Sequence, residues 1–326
     1  MASKYRYLIS SLVKVRSYCR GLPKLVNKSE TNHNNGTQYL LSISLFTWLG
    51  FEKAPTAEDE LINTIKHCVL FIQRSDYVKA EQLLHVALRQ AQQMHHELGI
   101  TYIYDIMANL ALERGEIEKA KPLFVSVAQR VMSNGATEDD PRIVHISVKL
   151  ARISHLLKEY TTAQIGFEWC LSKLQKAFED NNTLDNKKLL TLAEDWYGRL
   201  FLDVNKLEAG LKYMVSALER MKEIEDIDKE QVVVQLNDIG TVYDRLDQID
   251  NSISCFEEAI RLAKDLDMEF LGIMHVNLGR AYIKKNMKVE ARKNCGYGWR
   301  LGVLNKSNAI KEQAEICLSE INKLQS

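Results

Sequence analysis

Four prolines and 15 glycines in 326 residues leave few helix breakers, which favours helix and argues against a turn-rich all-β fold. The six cysteines (Cys19, Cys68, Cys170, Cys255, Cys295, Cys317) form no CxxC pair and no His/Cys cluster at zinc-ligand spacing. They read as small apolar residues on helix faces, with neither a disulfide framework nor a metal site expected. No Walker sequence occurs, and the GxGxxxG of residues 296–302 has the wrong spacing for a phosphate loop and no preceding strand. His96-Glu97 begins like HExxH, but Ile100 stands where the second histidine would be, so residues 95–99 read as a linker. His67, His85, His145, His155 and His275 fall singly within helical stretches. No Ser/His/Asp or Cys/His set can be assembled. The expectation is a chain that is not an enzyme and carries no cofactor.

Net charge is zero, but it is unevenly spread. Residues 1–29 contain seven basic side chains and no acidic one, leaving 36 basic against 43 acidic residues in the remainder. A mildly acidic body argues against nucleic acid as the main partner. The basic segment KYRYLISSLVKVRSYCR places Tyr5, Leu8, Ile9, Leu12, Val15 and Cys19 at helical spacing, the pattern of a mitochondrial transit peptide. Residues 1–35 are assigned to it. YLLSISLFTWLGF, residues 39–51, is the one conspicuously apolar run outside the helical repeats. Thirteen helical residues span about 20 Å against a bilayer core of about 30 Å. No formal charge occurs from Thr31 to Phe51, however, and Tyr39 and Trp48 suit the interfacial zone. Residues 36–57 are therefore read as a membrane anchor and linker. With the basic side facing the matrix, the rest would lie in the intermembrane space.

TYIYDIMANLALERGEIEKA, residues 101–120, carries Tyr104, Ala108 and Ala111 on one helical face, then Gly115 as a stop and Ala120 as a close-contact position on a second helix. The hairpin recurs. The second-helix small residue returns at Ala80, Ala120, Ala163, Ala209, Ser252 and Ala291. Leu84, Phe124, Phe167, Tyr213, Phe256 and Cys295 follow it, and then Ala87, Val127, Cys170, Ala217, Ala259 and Gly298. The first-helix small position reads Cys68, Ala108, Ala151, Tyr197, Gly240 and Gly279. This pattern resembles the tetratricopeptide repeat, in which small residues let paired helices approach and an aromatic fills the gap between hairpins. Anchor spacings of 40, 43, 46, 43 and 39 exceed the ~34-residue period, so helices or linkers must be lengthened. The acidic run at 223–230 reads as a lengthened, solvated helix end. Gly296, Gly298 and Gly302 each cost roughly 1 kcal/mol relative to alanine and predict a weakened or kinked last hairpin. Residues 306–326, with Ile310, Ala314, Cys317, Ile321 and Leu324 on one stripe, should cap the array. The expected fold is an all-α tetratricopeptide-repeat solenoid of about six units over 58–305, closed by that capping helix.

In such arrays the first helices line a groove. That resemblance makes Asp105, Asn109, Arg152, His155, Glu194, Asn237, Asp244, Arg245, Arg280 and Lys284 candidates for contacting a partner peptide. The Lys/Asn set that clamps chaperone carboxylates is not recognisable. TYIYDIMANLALERGEIEKAKPLF and AEQLLHVALRQA, with the preceding TAEDELINTIK, more specifically resemble the mitochondrial tetratricopeptide repeat protein 19 family. The likeness is strong over about residues 58–130 and fades through 180–230 and the glycine-rich sixth unit. Membership would imply an inner-membrane scaffold that binds respiratory complex III (ubiquinol–cytochrome c reductase). Its role would be to support the integrity of that complex by helping clear N-terminal fragments of the Rieske iron–sulfur subunit. A soluble adaptor for a chaperone or motor-cargo complex is the alternative.

Overall fold

The computed structural model describes residues 56–225, 227–264, 266, 268 and 270–323; the transit-peptide and anchor assignments, and Leu324, lie outside them. The chain divides into two compact units, Met1–Gly135 and Ala136–Ser326. Among the described residues the first holds α1 (Ala57–Gln73), α2 (Tyr77–Gln93), α3 (Glu97–Glu113) and α4 (Ile117–Ser133). The second holds α5 (Pro141–Leu156), α6 (Tyr160–Asp180), α7 (Leu184–Asp203), α8 (Leu207–Lys222), α9 (Lys229–Arg245), α10 (Ile249–Ala263), α11 (Leu271–Lys284), α12 (Lys288–Leu304) and α13 (Asn308–Lys323). Odd- and even-numbered helices pair as six hairpins, and α13 packs on α11 and α12 as the closing helix. No described helix is long and apolar enough to cross a membrane.

Local chemistry sets the boundaries. Thr56 and Asp59 form a reciprocal capping box before α1, while Asp140, Thr183 and Asp228 cap α5, α7 and α9 through their side chains. Each hairpin turns through one left-handed residue: Ser75, Gly115, Lys158, Asn205, Asp247 and Asn286. The backbone N–H after each donates to a carbonyl five residues back, as Glu116 does to Ala111 and Gln248 to Tyr243, closing off the carbonyls at the first helix's end. The same turn joins α2 to α3 through His95, so of residues 95–99 only His95 and His96 are linker, and Glu97, Leu98 and Gly99 already form the first turn of α3. There His96 Nδ1 accepts the Gly99 N–H at 2.9 Å.

The anchor residues are the core. Ala80, Ala120, Ala163, Ser252 and Ala291 are all fully buried, as are Phe124 and Phe167. The fourth hairpin corrects the sequence reading by one residue: its buried small residues are Gly198 and Gly210, followed by Met214 and Ala217. A Cβ on Gly198 would meet the Gly210 carbonyl at 2.9 Å, and one on Gly210 the Gly198 carbonyl at 2.8 Å, so the two backbones touch there. With that change the two small positions lie 12 residues apart in every hairpin, from Cys68/Ala80 to Gly279/Ala291. Ala209 with Tyr213 mimics the expected small–aromatic pattern and pulls the reading off register, while the Tyr197 and Tyr213 rings lie 4.8 Å apart in a cluster with Phe167 and Phe201.

The last hairpin also differs from expectation. Helix α12 runs unbroken through its glycines, because two of them are contact points. A Cβ on Gly298 would meet the Gly272 carbonyl at 2.8 Å, and one on Gly302 the Lys311 backbone nitrogen at 2.8 Å. Close approach to α11 on one side and α13 on the other offsets the helix penalty. Cys295 and Cys317 are not independent apolar fillers. They are joined as a disulfide, with Cα atoms 6.0 Å apart. Their separation of 22 residues conceals a pairing that exists only once α13 docks; Cys68 and Cys170 remain buried free thiols. The acidic run is likewise no helix end. Helix α8 stops at Lys222, and Ile224, 2% exposed, anchors a loop that Asp228 ends by capping α9.

Candidate functional site

The odd-numbered helices of the second unit each turn a polar strip away from the apolar stripe, and these strips bond to one another along the array. Arg152 and His155 on α5 are both buried. The Arg152 guanidinium donates to His155 Nδ1 at 2.7 Å and stacks near the Trp196 ring. With Nδ1 accepting, His155 Nε2 carries the proton and donates to Asp203 Oδ2 at 2.8 Å. Glu194 on α7 accepts from Arg220 Nε at 2.9 Å and Ser216 Oγ at 3.1 Å.

Further along, Asn277 donates to Asn237 Oδ1 at 3.0 Å, and Lys284 pairs with Asp244 at 2.9 Å. Arg280 donates to Gln313 on α13 at 2.9 Å, and Arg245 reaches Asn205 at 3.4 Å. In the first unit, buried Asn109 turns back on its own helix and donates to the Asp105 carbonyl at 2.7 Å. Of the eight second-unit candidates, Glu194 bonds to α8 of its own hairpin and Arg152 within its own helix, while the other six make contacts to the neighbouring repeat or the closing helix. Arg245 and Lys284 remain exposed. Arg152, His155 and Glu194 are occupied inside.

The centre of the strip went unnoticed in the sequence. Arg199 donates to Asp195 at 2.9 Å, Asp238 at 2.8 Å and Gln235 at 3.1 Å, and fully buried Gln235 in turn donates to the Met214 carbonyl. Burial opposes the Arg199 charge. The carboxylates of Asp195 and Asp238 more than offset it, so the guanidinium is held protonated more firmly than usual. The Asp195/Arg199 spacing of four was visible as a helical pair. Its extension to α9 needed the stacking register.

Burial depresses the basicity of His155, aided by Arg152 and opposed by Asp203; His145 is depressed by burial and Lys149, and His275 by burial and Lys264. All three are harder to protonate in the fold than in an unfolded chain, which takes up these protons below about pH 6.5. Stability is therefore complete above that pH and lost as pH falls through it, by on the order of 1.4 kcal/mol per unit for each histidine still neutral. Melting temperatures at pH 7.5 and 5.5 should show this drop, and His155→Gln should flatten it. An unchanged slope in the variant would refute the assignment.

Comparison with known proteins gives the family. A tetratricopeptide-repeat family model matches residues 236–266, within α9, α10 and the loop that follows. Tetratricopeptide repeat protein 19 homolog, mitochondrial, from Drosophila melanogaster is 37% identical over 272 residues, 83% of this chain and 74% of that one. The chain belongs to the tetratricopeptide repeat protein 19 family. The Homo sapiens member, also named mitochondrial, is 27% identical over 83% of this chain and 74% of its own. Among solved structures, apo RapI superposes with a TM-score of 0.64 at 12% identity, covering 81% of this chain and 71% of that one. The quorum sensor NprR from B. thuringiensis gives 0.60 at 13%, covering 88% and 76%. These likenesses establish the fold. In this member of the tetratricopeptide repeat protein 19 family the polar contacts lie mainly on the first helix of each hairpin of the second unit.

Proposed function

We propose that this chain is a non-enzymatic mitochondrial scaffold that binds respiratory complex III and supports its assembly and integrity, including clearance of N-terminal fragments of the Rieske subunit. Membership of the tetratricopeptide repeat protein 19 family, whose relatives are named mitochondrial, is the observation that carries this reading. The acid-free basic N-terminus agrees with import, and the apolar run at 39–51 with an inner-membrane anchor. The Cys295–Cys317 disulfide favours a compartment where thiols are not kept reduced, hence the intermembrane space rather than the matrix.

Affinity purification of C-terminally tagged protein from gently solubilised mitochondria tests the proposal, with mass spectrometry of partners and of the chain's own N-terminus. Complex III subunits and a new N-terminus within residues 20–57 are expected. Arg245→Glu with Lys284→Glu, both on the exposed part of the strip, should capture several-fold less of that complex at an unchanged melting temperature. Chaperone or motor subunits on a chain with its original N-terminus would replace this reading with the soluble adaptor.

A further inference from the structure

Helix α12 buries Ala291, Cys295, Gly298 and Gly302 on one face. The rest of the helix surface carries apolar tips among cations, with Tyr297 edge-on against His275. Val289 is 79% exposed and Leu304 67%, and Tyr297, Trp299 and Val303 also stand out into solvent. Between these apolar tips lie Arg292, Lys293 and Arg300, all exposed. Residues 288–306 contain five basic side chains and one carboxylate, Glu290, within a body that is otherwise mildly acidic. Among the described residues neither Lys293 nor Arg300 has an ion-pair partner. A shallow depression of about 340 Å³ opens on this surface, lined by Lys288, Val289, Arg292 and Lys293. Trp299 is held in place by its indole N–H, which donates to Glu315 of α13 at 3.0 Å.

The geometry points to α12 as a peripheral docking face for an anionic phospholipid bilayer, with lipid phosphates taken at the cationic depression and Tyr297, Trp299, Val303 and Leu304 set into the interfacial zone. Charge complementarity selects the occupant, since a segment carrying five cations against one carboxylate attracts a surface of phosphates. Side-chain type selects a bilayer over an acidic protein segment. Exposed aromatic rings and aliphatic tips scattered among cations suit the headgroup–acyl boundary, which needs no shaped counterpart. A protein partner would need a groove, and the depression here is shallow and walled largely by charge.

Full-length protein is to be floated with vesicles of phosphatidylcholine alone and of equal parts phosphatidylcholine and phosphatidylglycerol, at low and high salt. Each basic side chain near an anionic leaflet contributes about fivefold in partition. Arg292→Gln with Lys293→Gln and Arg300→Gln should therefore lower affinity for the anionic vesicles roughly a hundredfold. The basic N-terminus favours the same vesicles, so amide exchange on the wild-type chain supplies a local readout that does not depend on any variant folding. Residues 288–304 should gain protection on anionic vesicles and none on neutral ones. Unchanged exchange in α12, or an undiminished anionic preference in the folded variant, would overturn the proposal. So would protection by soluble polyglutamate with none by vesicles, which would make the occupant an acidic polypeptide.

Discussion

Arg199→Met is expected to destabilise the second unit by about 3–5 kcal/mol, because it strands buried carboxylate charge. Asp195 is fully buried and takes its ion pair from Arg199, and half-buried Asp238 shares that guanidinium. Methionine matches the length of the side chain but offers no donor. Combining Arg199→Met with Asp195→Leu and Asp238→Asn should recover much of the loss, since an apolar replacement of a whole buried pair is often neutral. Urea unfolding followed by circular dichroism compares the variants. Equal instability of the single and combined variants would mean that packing of the arginine stem, rather than its charge, matters there.

Phe256→Ala should cost a similar about 3–5 kcal/mol, by emptying the centre of the fifth hairpin. The ring is 2% exposed, and its edge lies 2.8 Å from where a Cβ on Gly240 would sit. Gly240→Ala alone should cost about 1–3 kcal/mol by overpacking, partly offset by the better helix propensity of alanine. Together the two changes should cost less than their sum, because the new methyl enters space that the ring has left. Strict additivity in a double-mutant cycle would show that ring and glycine do not share that space. Ser252 explains why this hairpin carries a hydroxyl at its small position: its Oγ donates to the Gly240 carbonyl at 2.8 Å, a bond alanine cannot make.

Most of the fold was legible because hairpin stacking leaves a strong local trace. Ala80, Ala120 and Ala163 can occupy their positions only where two helix backbones nearly touch. The trace failed where glycine took that role beside an aromatic, at Gly198 and Gly210, since Ala209 and Tyr213 satisfy the same pattern one residue early. It failed again in α12, where intrinsic propensity marks Gly298 and Gly302 as defects and only their neighbours, Gly272 and Lys311, show them to be contacts. The candidate site was legible by position but not by state. Being off the apolar stripe identifies His155, Asn237 and Lys284 as polar-strip residues, whereas their partners lie about one repeat away and appear only with the stacking register. No local spacing could have linked Arg199 to Asp238, 39 residues on.

Hairpins of such similar shape could in principle stack in the wrong order, since an alanine–aromatic surface accepts almost any copy of itself. The Arg199 cluster removes that freedom. It needs an aspartate from its own helix and a glutamine and aspartate from the next repeat, while Arg152 and His155 on the preceding repeat look for Asp203. A chain with its third, fourth and fifth hairpins permuted would keep every apolar face yet misaddress its buried charges. The polar strip serves as the array's serial number, written in charge from one repeat to the next.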